Sequence, residues 1–466
     1  MEQFDLVVLG GGTGGYVAAI RAAQLGLKTA LVEKAKVGGT CLHQGCIPTK
    51  ALLNTADLLD RFRRHDEFGI ALKGEATLDY PKAQEAKSKI VTQLWRGVQY
   101  LLKKNKVSVY EGVGRIPAAG QVAVRTDGGE EILAAKDILV ATGSEPRPLP
   151  GLAFDGKRVL SSDHVLEKKE VPDSILIIGG GAIGVEFASM YADFGTRVTL
   201  VEALPHILPQ DEAEVAAELT KLFTKRGIAV HAGAAVDPSA IAVSNRGVKA
   251  RITTSDGKSE DVSADVLLVA IGRQALTADL GLEALGVTLN RGFVEVDREY
   301  RTKAPHISAI GDCIGGYLLA HVAAHEGMIA VEAIAGERPE PLDPNRVPRV
   351  TYCRPEVASL GLTEEQAKNA GHAVKAGTFP FRANGKSLIL GESDGFVKLV
   401  ADANTNDLLG AHVIGPHASD LINEMALAKF LEATAWEVAE SVHAHPTVSE
   451  VLHEAALVVE GRGIHV

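Results

Sequence analysis

With 466 residues, 46% of them hydrophobic and 23% charged, the chain has an ordinary globular composition but is too long for one core, so about three domains are expected. Its net charge of −11, without any lysine or arginine run, disfavours non-specific binding to nucleic acid or to anionic membranes. No apolar run reaches the ~18 residues of a membrane span, and the acidic start "MEQFDLVVLGGGTGG" enters a strand at once instead of reading as a signal peptide, which predicts a cytoplasmic protein.

The first predicted unit is "DLVVLGGGTGGYVAAIRAAQLGLKTALVE", Asp5 to Glu33: a buried apolar strand, a glycine turn, an alanine-rich helix and a second strand ending in an acid. Gly10, Gly12 and Gly15 stand in G-x-G-x-x-G spacing, and Glu33 follows 23 residues after the first. The pattern suits a dinucleotide. The first glycine makes a tight turn, the second admits backbone close to a pyrophosphate, and the third lets helix and strand pack closely. Phosphates then meet the helix N-terminus, and the acid accepts ribose hydroxyls.

"GGTCLHQGCIPTK", Gly38 to Lys50, comes next and holds Cys41 and Cys46, two of only four cysteines. On a helix opening near Thr40 they lie about 140° apart, so a bond between them needs a distorted first turn, which Gly45 and Pro48 allow. So short a loop makes a poor entropic staple, and cytosolic disulfides are usually catalytic or redox-sensing. Zinc or an iron–sulfur cluster lacks further cysteines before Cys313. On spacing alone two unrelated buried thiols stay open; behind a dinucleotide unit, a thiol relay is the better reading. Cys313 and Cys353 stand alone and read as packing.

Between about 65 and 136 an amphipathic helix ("AQEAKSKIVTQLWRGVQYLLKK") precedes strand-like pieces, and an apolar strand then ends in "ATGS", Ala141 to Ser144. "SILIIGGGAIGVEFASMYADFGTRVTLVE", Ser174 to Glu202, repeats the first unit at an offset of 169 residues without a gap, with Gly179, Gly181, Gly184 and Glu202 in the matching places. Glu202 opposes a 2′-phosphate, and "VEALPHILP" supplies no arginine, so this copy should prefer NAD to NADP. Strands ending in "AIGR" (Ala270 to Arg273) and "AIGD" (with Gly311 and Asp312) follow, and from about Val347 a third domain without a phosphate motif begins. Within it "SVHAHPTVSEVLHE" holds His445 and Glu450. Oxidation of a dithiol needs a base near neutrality, and a carboxylate on the far nitrogen would orient such an imidazole.

"GGTCLHQGCIPTK", both fingerprints, "ATGS", "AIGD" and "HAHPTVSE" together resemble the pyridine nucleotide–disulfide oxidoreductases, over essentially the whole chain and in that family's order. The resemblance implies an α/β protein with two Rossmann-like dinucleotide-binding domains, for FAD and NAD, and a C-terminal α+β dimerisation domain. The implied segments are 1–147 and 275–345 (FAD), 148–274 (NAD) and 346–466 (interface). FAD would be held by Gly10, Gly12, Thr13, Gly14, Gly15, Glu33, Lys34, Gly39, Thr40, Lys50, Gly114, Ala141, Thr142, Gly143, Ser144, Gly311, Asp312, Leu319 and Ala320. NAD would be held by Gly179, Gly181, Ala182, Ile183, Gly184, Glu202, Val236, Ala270, Gly272 and Arg273. Cys41 and Cys46 match the redox disulfide, Cys46 facing the flavin and Cys41 exchanging with substrate. Lys50 and Glu186 match an ion pair near the flavin. His445 and Glu450 match the acid–base pair that serves the partner subunit of a homodimer. The nearest members reoxidise dihydrolipoyl groups carried on a separate protein of a 2-oxo acid dehydrogenase or glycine cleavage complex, with no metal. His43 and Gln44 depart from the family's usual Asn-Val, and Cys353 from its usual threonine.

Overall fold

The structure is a computed structural model describing residues 2–465. It divides into two compact units: one contains the chain up to Ala51, Gln84–Arg147 and Gly272–Leu342; the other contains Leu52–Ala83, Pro148–Ile271 and the chain from Asp343 on.

In the first unit the expected strand, helix and strand are β1 (Glu2–Leu9), α1 (Thr13–Gln24) and β2 (Thr29–Glu33). Further strands are β3 (Ser108–Glu111), β4 (Val113–Ala118), β5 (Gln121–Thr126) and β6 (Gly129–Val140). They form one sheet in the order β3-β2-β1-β6-β5-β4, with the strand Ile307–Ala309 added beside β6. The β1, β2 and β3 pairings and the β1–β6 pairing are parallel, whereas β4, β5 and β6 form an antiparallel meander. Alternate residues of β1 enter two different cores: Val7 and Leu9 pack with Val122 and Ile138, while Leu6 and Val8 pack with Ala18 and Ala330. Covering both faces is why "LVVL" is an unbroken apolar run instead of an alternating one.

The second unit repeats the scheme. Its parallel sheet runs in the order Ala229–Ala232, Arg197–Glu202, Ser174–Ile178, Val266–Val269, Val159–Leu160, with the helix Ala182–Asp193 after the second glycine turn. An antiparallel sheet of five strands from 349 to 415 follows, packed through Phe379, Leu399 and Val413 against Ile422, Leu452 and Ala455 of the last helices. Among the described residues no helix is long and apolar enough to cross a membrane.

Candidate active site

The two glycine turns are built alike. Gly10 (φ +105°) donates to Val32 O and Gly179 (φ +110°) to Val201 O, both at 2.8 Å. A Cβ on Gly10 would run into the Ala141 carbonyl, and one on Gly179 into the Ala270 carbonyl. A Cβ on Gly15 or Gly184 would strike the carbonyl of Gly10 or Gly179, so each helix can start this close to its strand only with glycine there. Gly12 and Gly181 have nothing within 4 Å of where a Cβ would stand. Both cap their helices without a side-chain hydrogen bond. Open room over bare backbone at a helix N-terminus fits a pyrophosphate. Glu33 accepts Gly11 N–H at 2.7 Å and Ala35 N–H at 2.8 Å. Glu202 accepts Gly180 N–H at 2.6 Å and Leu204 N–H at 2.8 Å, so each acid braces its own turn and keeps lone pairs for ribose hydroxyls.

The cysteine segment differs from one helix with a strained first turn. It is two helices, α2 (Gly39–His43) and α3 (Cys46–Arg63), broken at Gln44 (φ −138°) and Gly45. Gln44 N–H closes on Thr40 O at 2.8 Å and Thr49 N–H on Gly45 O at 3.0 Å. Both sulfurs are thiols in this structure. The break brings them together: the Cys41 side chain hydrogen-bonds Cys46 and Thr13. Its neighbour Cys46, burial and the charge coupling between the two raise the Cys41 thiol well above its usual range, while Thr13 and Lys50 act to lower it. A dithiol so coupled ionises one sulfur at a time. The segment is seated on the first fingerprint: Gly38 donates to Gly11 O at 2.7 Å, and a Cβ on Gly39 (φ +59°) would lie 2.6 Å from Gly12 Cα.

Further along, Asp312 accepts the Ser144 hydroxyl at 2.5 Å. Arg273 donates to Ser144 Oγ at 2.7 Å and to Ser144 O at 2.8 Å, with Asp312 3.7 Å from its Nε. Arg273, expected beside NAD, is thus tied to Ser144 and Asp312 and belongs with Gly272 to the first unit. The helix Ala320–Ile334 begins without a side-chain cap at Leu319. Gly114 is needed where it stands, because a Cβ there would come 2.6 Å from Leu9 Cδ2. Lys34 is exposed. In the second unit Ala182 and Ile183 open the helix Ala182–Asp193, and Val236 ends a short strand. Glu186, 6% exposed on that helix, accepts Tyr352 N–H at 3.0 Å.

His445, with 81% of its side chain exposed, donates from Nδ1 to Glu450 Oε1 at 2.9 Å, which leaves Nε2 toward solvent. The other Glu450 oxygen accepts Thr447 N–H at 2.8 Å. Burial would raise the Glu450 carboxyl, but the Thr447 N–H and His445 hold it below the usual range. The contact the sequence predicts is present: an imidazole oriented by a carboxylate held below its usual range. Cys313 and Cys353 are buried, and burial pushes the Cys313 thiol up to about 12, as expected of packing residues. The sequence reading missed the Thr13–Cys41 contact and the buried acid Glu326, which accepts Gly311 N–H at 2.6 Å. The one visible signal for the latter is a glutamate inside an otherwise uncharged helical turn.

Residues 4–327 match the family model described as pyridine nucleotide-disulphide oxidoreductase, and residues 347–456 match the dimerisation domain of the same family. A dihydrolipoyl dehydrogenase of Bacillus subtilis is 51% identical over 99% of both chains. One from Zymomonas mobilis is 47% identical over 100% of this chain and 99% of its own. The crystal structure of LpdA from Mycobacterium tuberculosis superposes with a TM-score of 0.89 at 29% identity, over 98% of this chain and 100% of that one. The flavoprotein disulfide reductase RclA of Escherichia coli, as its Cu(II) complex, gives 0.87 at 27% identity, over 98% of this chain and 100% of its own.

Proposed function

Because the chain belongs to the pyridine nucleotide-disulphide oxidoreductase family, we propose that it is a dihydrolipoyl dehydrogenase that uses FAD and NAD to reoxidise protein-borne dihydrolipoyl groups. The observation that carries this reading is the seating of the Cys41–Cys46 pair, through Gly39, against the first dinucleotide turn. We assign residues 1–147 and 272–345 to FAD, 148–271 to NAD and 346–466 to the interface, with Gly272 and Arg273 going to the FAD segment because they lie in the first unit.

The chain's own groups account for the dithiol half of the reaction. In the oxidised enzyme Cys41 and Cys46 form a disulfide. A substrate thiolate attacks Cys41 Sγ, the S–S bond breaks, and its electron pair leaves on Cys46 Sγ. His445 Nε2 takes the proton from the second substrate thiol. That sulfur then displaces Cys41 from the mixed disulfide and closes the lipoyl ring. The substrate has lost two electrons and the enzyme holds a dithiol. Glu450 stabilises the imidazolium, and Lys50, which lowers the Cys41 thiol, favours its thiolate. FAD held at the Gly10–Gly15 turn would supply the acceptor for the dithiol's electron pair, and NAD at the Gly179–Gly184 turn the final acceptor.

A homodimer is supported by the match to the family's dimerisation domain, on which the apolar side chains of Leu427, Phe430, Leu431 and Val442 are 59–99% exposed. The carrier would be a lipoyl-bearing protein of a 2-oxo acid dehydrogenase or glycine cleavage complex, and the setting cytoplasmic. Steady-state assays of the purified protein test the whole reading. Dihydrolipoamide with NAD should turn over, with NADP about a hundredfold poorer because Glu202 faces the 2′-phosphate. Equal use of NAD and NADP, or turnover of glutathione disulfide in preference to lipoamide, would overturn it.

A further inference from the structure

Glu326, 6% exposed on the helix Ala320–Ile334, accepts Gly311 N–H on Oε2 at 2.6 Å. Gly311 has φ +72° and leads directly into Asp312, the acid held by Ser144. The same helix lies backbone to backbone on α1: a Cβ on Gly14 would come 2.8 Å from Ala323 O, and one on Gly327 2.8 Å from Gly14 O. Glu326 thus sits on a helix packed backbone to backbone against the start of α1, and its carboxyl meets the Gly311–Asp312 turn. No step of the reaction above uses it. We propose that Glu326 is a positioning residue for the flavin, its carboxyl fixing the Gly311–Asp312 turn through the Gly311 N–H and linking flavin retention to pH.

Burial, with the charge of Asp312 adding to it, pushes the carboxyl up to about 7 against the pull of the Gly311 N–H. The charged and titratable groups around it are few. Asp312 faces it from the turn, and Tyr300, whose phenol burial and Glu326 both raise, from the preceding segment. α1 presents Gly14 and Ala18 here, and its Arg21 pairs with Glu332 at 2.7 Å, farther along the helix. A bound pyrophosphate adds negative charge and displaces water, and both disfavour the ionised carboxylate. Linkage then fixes the sign: if the flavin raises this group's pKa, the flavin is held more tightly below that pKa than above it.

This inference rests on the flavin reading of the first turn. The test is titration of apoprotein with FAD between about pH 6 and about pH 8, followed by flavin fluorescence. The wild-type Kd should rise about fivefold across that range, the part of a one-unit pKa shift that falls between those pH values. Glu326→Gln keeps an acceptor for Gly311 but cannot ionise, so its Kd should stay flat near the wild-type value at low pH. Glu326→Leu removes the acceptor and should weaken binding throughout. A Gln variant that keeps the wild-type rise, or a Leu variant with wild-type affinity, overturns the proposal, and the Gln comparison decides the matter if the Leu variant does not fold. Wild-type protein that takes up no FAD at any pH would overturn the flavin reading as well.

Discussion

In the proposed exchange Cys41 and Cys46 carry distinct halves, so loss of either sulfur should stop it. Cys41→Ser removes the sulfur that meets substrate, and Cys46→Ser the one that accepts the electron pair of the broken bond. Lipoamide turnover should fall by about 10³-fold or more in both. NADH-driven reduction of an artificial acceptor should persist, because it needs only the two dinucleotide sites. Substantial lipoamide turnover in either variant, measured by steady-state kinetics, would remove the pair from the reaction. The Cys41–Cys46 and His445–Glu450 contacts and the glycine turns are legible because each is local in sequence. The contacts of Arg273 are not local: its side chain meets Ser144 and Asp312, more than a hundred positions earlier and nearly forty later in the chain. Glu326 is not legible either: an acid on an apolar helix reads as a solvated face until the Gly311 N–H is seen against it.

Elements were legible where period and punctuation agree. Both strand–turn–helix–strand units lie where the repeat predicts, because a continuous apolar run, a glycine turn and an alanine-rich stretch each allow little else. Sequence alone predicts one distorted helix across the cysteine segment; the break at Gln44–Gly45 lies beyond it, because Gly38 and Gly39 are anchored on Gly11 and Gly12. Another tertiary device invisible in sequence joins the helix Ala213–Lys225 to the strand Phe396–Asp402. Lys398, with 2% of its side chain exposed, meets Glu214 and Glu364 at 2.7 Å and Glu212 at 3.2 Å. Lys398→Met would leave Glu212, itself 5% exposed, as a buried carboxylate without its cation. The expected cost is about 3–5 kcal/mol at neutral pH. Lys368 and then Lys398 hold Glu364 down to about 2 from its ordinary 4.5. A depressed carboxyl stabilises the fold above its unfolded pKa, and that contribution fades as pH falls from about 4.5 toward about 2. The gap between wild type and variant should therefore narrow in acid. Urea unfolding at neutral and acidic pH checks this, and a neutral-pH difference below about 1 kcal/mol would show that the cluster is ornamental.

At the scale of the whole molecule, a dimer allows the proposed base to come from either chain. His445 presents Nε2 to solvent with Glu450 behind it, on the domain whose family model is a dimerisation domain and near exposed Val442. If each active site combines the cysteines of one subunit with His445 of the other, two dead homodimers can repair each other. Cys41→Ser keeps its histidine, and His445→Gln, slowed about 10²–10⁴-fold on its own, keeps its cysteines. In a mixed dimer one site unites the intact cysteine pair with the intact histidine, and the other site collects both lesions. Random reassortment makes half of the dimers mixed, so lipoamide turnover should recover to about a quarter of wild type. If both groups served the same chain, every site in the mixture would keep one lesion and nothing would recover. The measurement is made by dissociating and reassembling equal amounts of the two variants, with size-exclusion chromatography to confirm dimers. Unrecovered activity in verified mixed dimers would assign His445 to its own subunit and leave the exposed Val442 region without a catalytic reason to be covered.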